Sequence, residues 1–319
     1  MTESQIMMPG DDIDPEIRRF VREVNAEYDR LTNGGETIAE RRAIAELVRQ
    51  PWRSGGPQMA ETIEILAEDA GAGLRIYRPV KDRPLNALIY LHGGGWTSFS
   101  LDTHDRLMRE YAASSGAAVI GVDYSLSPEV RFPVALDEIG AAVGWLEAHG
   151  ERYGIEMADA MIGGDSAGAN LALATAMRMR DAGRAPFGGL ILNYGAFDER
   201  LRDSHSRYGG PEYMLTADEM DWFWRNYRGD YRAPHPIATP LNGNFAGLPP
   251  AFFCVAQCDI LADENRETAS RMMQAGVKVE LQVYEGATHS FLEAMSISAL
   301  ARKAIEDAAR WMQSIWQSR

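Results

Sequence analysis

From about residue 60 the chain repeats one alternation: a fully apolar run, a segment with helical spacing, then another apolar run. The runs are "NALIYL" at 86–91, "AAVIGVDY" at 117–124, "ADAMIGG" at 158–164, "GGLILNYG" at 188–195 and "PAFFCVAQ" at 250–257. Between them lie "RLMREYAASSG", "ALDEIGAAVGWLEAHG" and "GANLALATAMRMRDAG", each long enough for a crossover helix. A strand apolar on both of its faces must be covered on both, which is the condition of a parallel sheet with helices on each side. The expected fold class is therefore α/β, a mostly parallel central sheet flanked by helices. Two earlier segments, "ETIEILA" and "LRIYRPV", alternate more and read as an antiparallel pair at its start.

What precedes and interrupts this alternation is helical. Ile13, Ile17, Phe20, Val21, Val24, Tyr28 and Leu31 recur at three- and four-residue intervals. Asp14 stands as an N-cap before Pro15, and "TIAE" at 37–40 is a capping box that opens a second helix. Pro51, Gly55, Gly56 and Pro57 end that pattern, so residues 1–55 form one unit and 56–319 the remainder. Within the latter, some 50 residues separate "LNYGAFD" from "PAFFCVAQ", more than a crossover needs. There a second capping box, "TADE" at 216–219, precedes Met220, Phe223, Trp224 and Tyr227 on one helical face. That stripe reads as core-facing, as the roof of a pocket, or as both at once.

Charge narrows the partners. With 319 residues, 45% of them apolar, and a net charge of −14, the chain can bury a large core but presents no basic patch. Nucleic acid and anionic membrane surfaces are excluded as partners on that ground. The opening "MTESQIMMPGDDID" lacks the pattern of a secretory signal, and no apolar run approaches the roughly 18 residues of a spanning helix. A cytoplasmic location without membrane insertion is expected. Cys254 and Cys258, four apart in a strand, would be separated by roughly 13 Å and read as plain buried thiols. The six histidines are scattered without metal-ligand spacing, so neither metal nor cofactor is expected.

Two glycine-rich stretches carry the chemistry. In "MIGGDSAGAN", Gly164, Asp165, Ser166, Ala167 and Gly168 form G-x-S-x-G between a strand pattern and a helix pattern, the context of a nucleophile elbow. A serine hydroxyl needs a base, and the base an orienting carboxylate. His205, His235 and His289 follow Ser166; His289, just past the strand pattern in "VELQVYEGATHSFLEA", is favoured because sites of open parallel sheets collect at strand ends. For the acid, "FFCVAQCDILADE" offers Asp259, Asp263 and Glu264; Asp259 is the first polar residue off its strand, whereas Asp263 and Glu264 read equally as first-turn residues, with Asp263 in reserve.

The other stretch is "YLHGGGW" at 90–96. Attack by a serine on a carbonyl creates an oxyanion, and only backbone N–H groups on a loop without Cβ atoms approach it closely enough. Three consecutive glycines exceed what a tight turn requires, so the "HGGG" loop, with the N–H of Ala167, is expected to form the oxyanion site. His92 is expected to anchor the loop rather than to act as a base. Trp96, immediately after the glycines, together with Phe223 and Trp224, is assigned to the substrate pocket.

Taken in order, "HGGGW", "DYSLSPEVRFPVALDE", "GGDSAGANLA", "CDILADE" and "GATHSF" resemble the hormone-sensitive-lipase family of α/β-hydrolases. The segment "RDSHSRYGGPEYMLTADEM" is similar to its bacterial acetyl-esterase branch. The resemblance implies Ser166 as nucleophile, Asp259 as acid and His289 as base, with Gly93, Gly94 and Ala167 as oxyanion donors and Gly95 supporting the loop. It also implies that residues 1 to about 50 and about 198–240 form a helical cap over the site. The chain departs from the family at Ser125 and Ser127, which stand in a segment usually reading YRLAPE, so an arginine contact is lost; Ile260 replaces a usual proline and Ser290 a usual glycine.

The activity so implied is hydrolysis of short-chain carboxylic esters, acetyl to butyryl, through an acyl-enzyme. An amide, formamide or lactone hydrolase would use the same groups, and a ligand-binding receptor on this scaffold would be expected to lack the base. The expected partner is a small-molecule ester, and a homodimer is compatible with the sequence.

Overall fold

Burial on both faces is what the apolar runs demand, and one eight-stranded sheet provides it. The computed structural model describes residues 10–184, 187–229 and 235–318. Its strands are β1 (Glu61–Ile65), β2 (Gly73–Arg78), β3 (Leu85–Leu91), β4 (Ala118–Asp123), β5 (Ile155–Asp165), β6 (Gly189–Asn193), β7 (Ala251–Cys258) and β8 (Val279–Thr288). They lie in the order β1-β2-β4-β3-β5-β6-β7-β8. β2 runs antiparallel to both β1 and β4, and every later pair is parallel. Leu88, Ile89, Leu91, Ile162, Leu190, Ile191, Phe252 and Phe253 are wholly buried in the central strands. Each contributes about 1.5–3 kcal/mol of transfer free energy to folding.

The helices are α1 (Pro15–Leu31), α2 (Ile38–Arg53), α3 (Ala67–Ala70), α4 (Asp105–Ser115), α5 (Val134–His149), α6 (Ala167–Asp181), α7 (Asp203–Tyr208), α8 (Ala217–Arg228), α9 (Ala262–Gln274) and α10 (Ala299–Gln317). α4 packs on α10, and α5 on α6. The start signals read in the sequence are used as such. Asp14 accepts from the N–H groups of Glu16 and Ile17, while Thr37 with Glu40 and Thr216 with Glu219 each form a reciprocal capping box. The short α3, which connects the antiparallel pair, carries no periodic signal and was not expected.

Residues 10–53 lie against the later helical segment and the end of the sheet. The Asn25 side chain donates to the Pro211 carbonyl at 2.8 Å, Tyr213 donates to Asp12 at 3.0 Å, and the Asp14 N–H donates to the Gly286 carbonyl at 2.9 Å. Residues 1–9 of the expected first unit and 230–234 of the inserted segment lie outside the described residues.

The strand order reverses between β3 and β5, where the chain adds strands first to one side and then to the other. In open α/β sheets such a switch point leaves a crevice at the carboxyl ends of the strands. The loop after β3 begins with "HGGGW" and the turn after β5 holds Ser166, so the two glycine-rich stretches meet there. Both thiols are buried and free, as expected; burial pushes Cys258 up to about 12 and Cys254 well up as well.

Candidate active site

Ser166 is the only residue between β5 and α6, and its backbone is strained accordingly, with φ 52° and ψ −117°. The turn is possible because its neighbours are small: a Cβ on Gly168 would fall 1.9 Å from the Leu91 carbonyl oxygen, and one on Gly164 2.2 Å from the same atom. The Ser166 N–H donates to the Asn193 carbonyl of β6 at 2.9 Å, which fixes the elbow to the next strand.

β7 and β8 supply the other two groups. Their last register pair is Cys258 with Thr288, and the next residue on each strand is Asp259 and His289. His289 Nδ1 lies 2.8 Å from Asp259 Oδ2, and Nε2 lies 2.9 Å from Ser166 Oγ. Because a carboxylate only accepts, Nδ1 carries the hydrogen and donates it to Asp259, which leaves Nε2 to accept from the serine hydroxyl. The other Asp259 oxygen accepts from the Leu261 N–H at 2.9 Å. Ser166, Asp259 and His289 are 7%, 1% and 5% exposed, so this chain of hydrogen bonds is shielded but reachable at the serine.

The alternatives considered from sequence are occupied elsewhere. Asp263 accepts from the Ser204 N–H at 2.9 Å and so secures α7. His205 Nδ1 accepts from the Arg202 N–H, and His235 Nδ1 from the Ile237 N–H, each at 3.2 Å.

The glycine loop folds back over this group. Gly94 has φ 106° and its carbonyl accepts from the N–H groups of Thr97 and Ser98. Among the described residues, the N–H groups of Gly93, Gly94 and Ala167 have no protein acceptor. His92 is buried and its Nδ1–H donates to the Gly93 carbonyl at 2.7 Å. Tyr124 stacks on that ring at 4.5 Å and donates to the His92 carbonyl at 2.8 Å. Burial and the neighbouring His104 hold the His92 imidazole down to about 3, so it stays neutral and acts as an anchor.

The aromatic residues divide. Trp96, almost fully buried, stacks on Tyr227 at 4.3 Å with an interplanar angle of 7° and tilts against Trp224 at 4.4 Å. It thereby joins the loop to α8. Phe223, partly exposed, lies on the loop itself, since a Cβ on Gly95 would meet its ring at 2.2 Å. The stripe on α8 thus faces inward at Met220, Trp224 and Tyr227 and towards the glycine loop at Phe223.

Other participants had no signal in the sequence. Arg42 of α2 donates to the carbonyls of Thr97 at 2.7 Å and Ser127 at 2.8 Å and pairs with Glu129, so an arginine from outside the segment contacts "YSLSPE". Arg49 of α2 pairs with Glu293 at 2.5 Å, both buried, and lies 4.9 Å over the Phe99 ring. Asp165 accepts from Tyr90 Oη at 2.9 Å and faces His104 Nε2 at 3.3 Å.

This arrangement of strand ends agrees with what the comparisons return. A family model described as the alpha/beta hydrolase fold matches residues 88–293. The hyperthermophilic esterase from the archaeon Pyrobaculum calidifontis is 31% identical, with a TM-score of 0.87 over 97% of this chain and 99% of that one. An ester hydrolase from the metagenome of Lake Arreo, solved with a bipyridine phosphonate derivative, is 31% identical, with a TM-score of 0.86 over 96% and 99%. A thermostable carboxylesterase from a metagenomic library is 28% identical, with a TM-score of 0.83 over 89% and 99%. The chain belongs to the α/β-hydrolase family, in its hormone-sensitive-lipase-like division, and is a serine carboxylesterase-like hydrolase. Among the described residues no helix is long and apolar enough to cross a membrane.

Proposed function

We propose that the protein hydrolyses short-chain carboxylic esters through an acyl-enzyme on Ser166. The observation that carries this reading is the continuous hydrogen-bonded path from Asp259 through His289 to Ser166 Oγ beside three unpaired backbone donors. Ser166 Oγ attacks the ester carbonyl while His289 Nε2 takes its proton, and Asp259 stabilises the imidazolium so formed. The N–H groups of Gly93, Gly94 and Ala167 receive the oxyanion of the tetrahedral intermediate. The imidazolium returns its proton to the leaving alkoxide, giving the alcohol and the acyl-enzyme. Water, deprotonated by the same imidazole, then attacks the acyl carbonyl, and collapse of that intermediate releases the acid as the imidazolium returns the proton to Ser166 Oγ.

Residues 10–53 and the segment around α7 and α8 serve as the cap. Their place in the pocket rests on Phe223, which stands over Gly95 and closes the acyl side, with Trp96 and Trp224 bracing the loop and the cap helix behind it. A pocket closed by Phe223 would accept few methylenes. Each buried CH₂ is worth about 0.8 kcal/mol while room remains, after which kcat/KM falls.

The test is a hydrolysis series of p-nitrophenyl esters from acetate to decanoate, with S166A as control. We expect a maximum at acetate to butyrate and loss of turnover in S166A. A steady rise to decanoate would refute the short pocket, and an active S166A would refute the nucleophile.

A further inference from the structure

Asp165 directly precedes the proposed nucleophile, is 2% exposed, and lies beneath the glycine loop. A Cβ on Gly93 would stand 2.3 Å from Asp165 Oδ2, so the carboxylate is packed against the Cα of a residue proposed to hold the oxyanion. A bare buried carboxylate there would oppose the negative charge that forms on the substrate oxygen, because Coulomb interactions are strong where water is excluded.

The hydrogen bonds around His104 show how that charge is met. Thr103 Oγ1 lies 2.8 Å from the Ser100 carbonyl, which only accepts, so its single hydrogen goes there; it also accepts from the Ser100 N–H at 3.1 Å. Its contact with His104 Nδ1 at 2.9 Å therefore requires a hydrogen on that nitrogen. On the other side, Nε2 faces Asp165 Oδ2 at 3.3 Å, and a carboxylate oxygen requires a hydrogen there too. With the Thr103 hydrogen on the Ser100 carbonyl, both ring nitrogens would be donors and the ring an imidazolium.

We propose that His104 is a positioning residue held as an imidazolium, which neutralises Asp165 beneath the glycine loop and thereby keeps the oxyanion site favourable to negative charge. The proposal rests on the serine-esterase reading of Ser166.

Among the described residues, the surrounding groups leave the balancing charge to His104. His92, whose ring lies 5.6 Å away, is neutral because burial and His104 hold it down to about 3. Arg49 and Glu293, which face His104 from α2 and from the turn after His289, compensate each other in their own ion pair. The phenols of Tyr90, Tyr111, Tyr124 and Tyr194 are all pushed upward by burial and carry no charge. Burial opposes the charge on His104, yet Asp165 outweighs it and holds the imidazole above its ordinary range; in return His104, helped by Tyr90, holds Asp165 below the usual carboxylate range.

Two measurements test this. In the unaltered protein, ¹⁵N NMR of ring-labelled histidine at pH 8 should show one histidine, assigned to His104 by its absence from H104Q, with both nitrogens protonated. A neutral tautomer there would overturn the proposal. In kinetics with p-nitrophenyl acetate, H104Q should lower kcat roughly tenfold with KM changed by less than about twofold, and adding D165N should restore most of the loss. A purely structural role predicts the opposite, a double variant worse than H104Q, and that result or an unchanged H104Q would overturn the proposal. If H104Q does not fold, the NMR spectrum of the unaltered protein, assigned through His104–Asp165 proximity, decides alone. Turnover that survives S166A would instead sink the serine-esterase reading, while the NMR result would still report the charge on His104.

Discussion

Phe223 of α8 lies directly on Gly95 of the glycine loop: the ring occupies the space within 2.2 Å of where a methyl group on that glycine would project. Gly95 also has φ 59°, a conformation that costs an alanine about 1–2 kcal/mol. We predict that G95A displaces the loop and lowers kcat for p-nitrophenyl acetate on the order of a hundredfold, as loss of one oxyanion donor does. F223A in the same background should recover part of that loss by removing the collision. Equal rates for G95A and wild type would show that the contact does not position the loop.

Asp259 and Asp263 stand four residues apart and serve different ends. D259N should lower kcat by several orders of magnitude, because an amide at that place stabilises the wrong imidazole tautomer. D263N leaves an amide oxygen to accept from the Ser204 N–H and should cost less than about 1 kcal/mol of stability with little change in kcat. Steady-state kinetics and urea unfolding of the two variants side by side distinguish these outcomes.

The Arg49–Glu293 pair joins α2 to the turn after His289 with both side chains out of water. R49M leaves a buried carboxylate without its partner, and we predict a loss of about 3–5 kcal/mol. R49M/E293L, which removes both charges, should be markedly more stable than R49M. Urea midpoints are the readout, and a single variant as stable as the double would mean that the pair contributes no net attraction.

Stability should also follow pH through His104 and Asp165. Asp165 is held below its ordinary value, so its contribution is present above about pH 4 and lost as pH falls through its folded-state value. His104 is held above its ordinary value, so its contribution is full below about pH 6.5 and lost as pH rises through its folded-state value. The difference in Tm between wild type and H104Q should therefore be widest between about pH 4 and pH 6.5 and shrink as pH moves beyond that window towards either folded-state value. A difference independent of pH would show that the two groups are not coupled as charges.

The parts of this molecule that repeat along the chain were legible in its sequence. Apolar runs gave the strands and the antiparallel start, and Asp14, Thr37 and Thr216 marked helix starts, because each is a local signal read within a few residues. Ser166 and the glycines were legible for a related reason: their geometry restricts the residue types at fixed neighbouring positions. Asp259 was preferred to Asp263 as the first polar residue off its strand, and the β7–β8 register gives the physical reason, since it sets that side chain one residue past the last pair. Arg42, Arg49 and His104 were not legible at all. Their charged partners lie 61 to 244 residues away in sequence, and an arginine on a helix face or a histidine at a helix start carries nothing that separates a buried pair from a solvated charge. Trp96 shows the same limit, since adjacency to the glycines gave its position in the chain but not the direction of its ring, which turns to Tyr227.

The paired ends of β7 and β8 carry a further consequence. Asp259 and His289 each follow the final rung of a parallel ladder, so the span between them is set by strand spacing and not by the course of the chain that links the strands. Of that link, α9 is fixed by its bonds to the loop after β6 and to α7, whereas the turn that follows α9 does not set the span. A foreign module spliced into the Ala275–Gly276 turn should leave the two side chains in step.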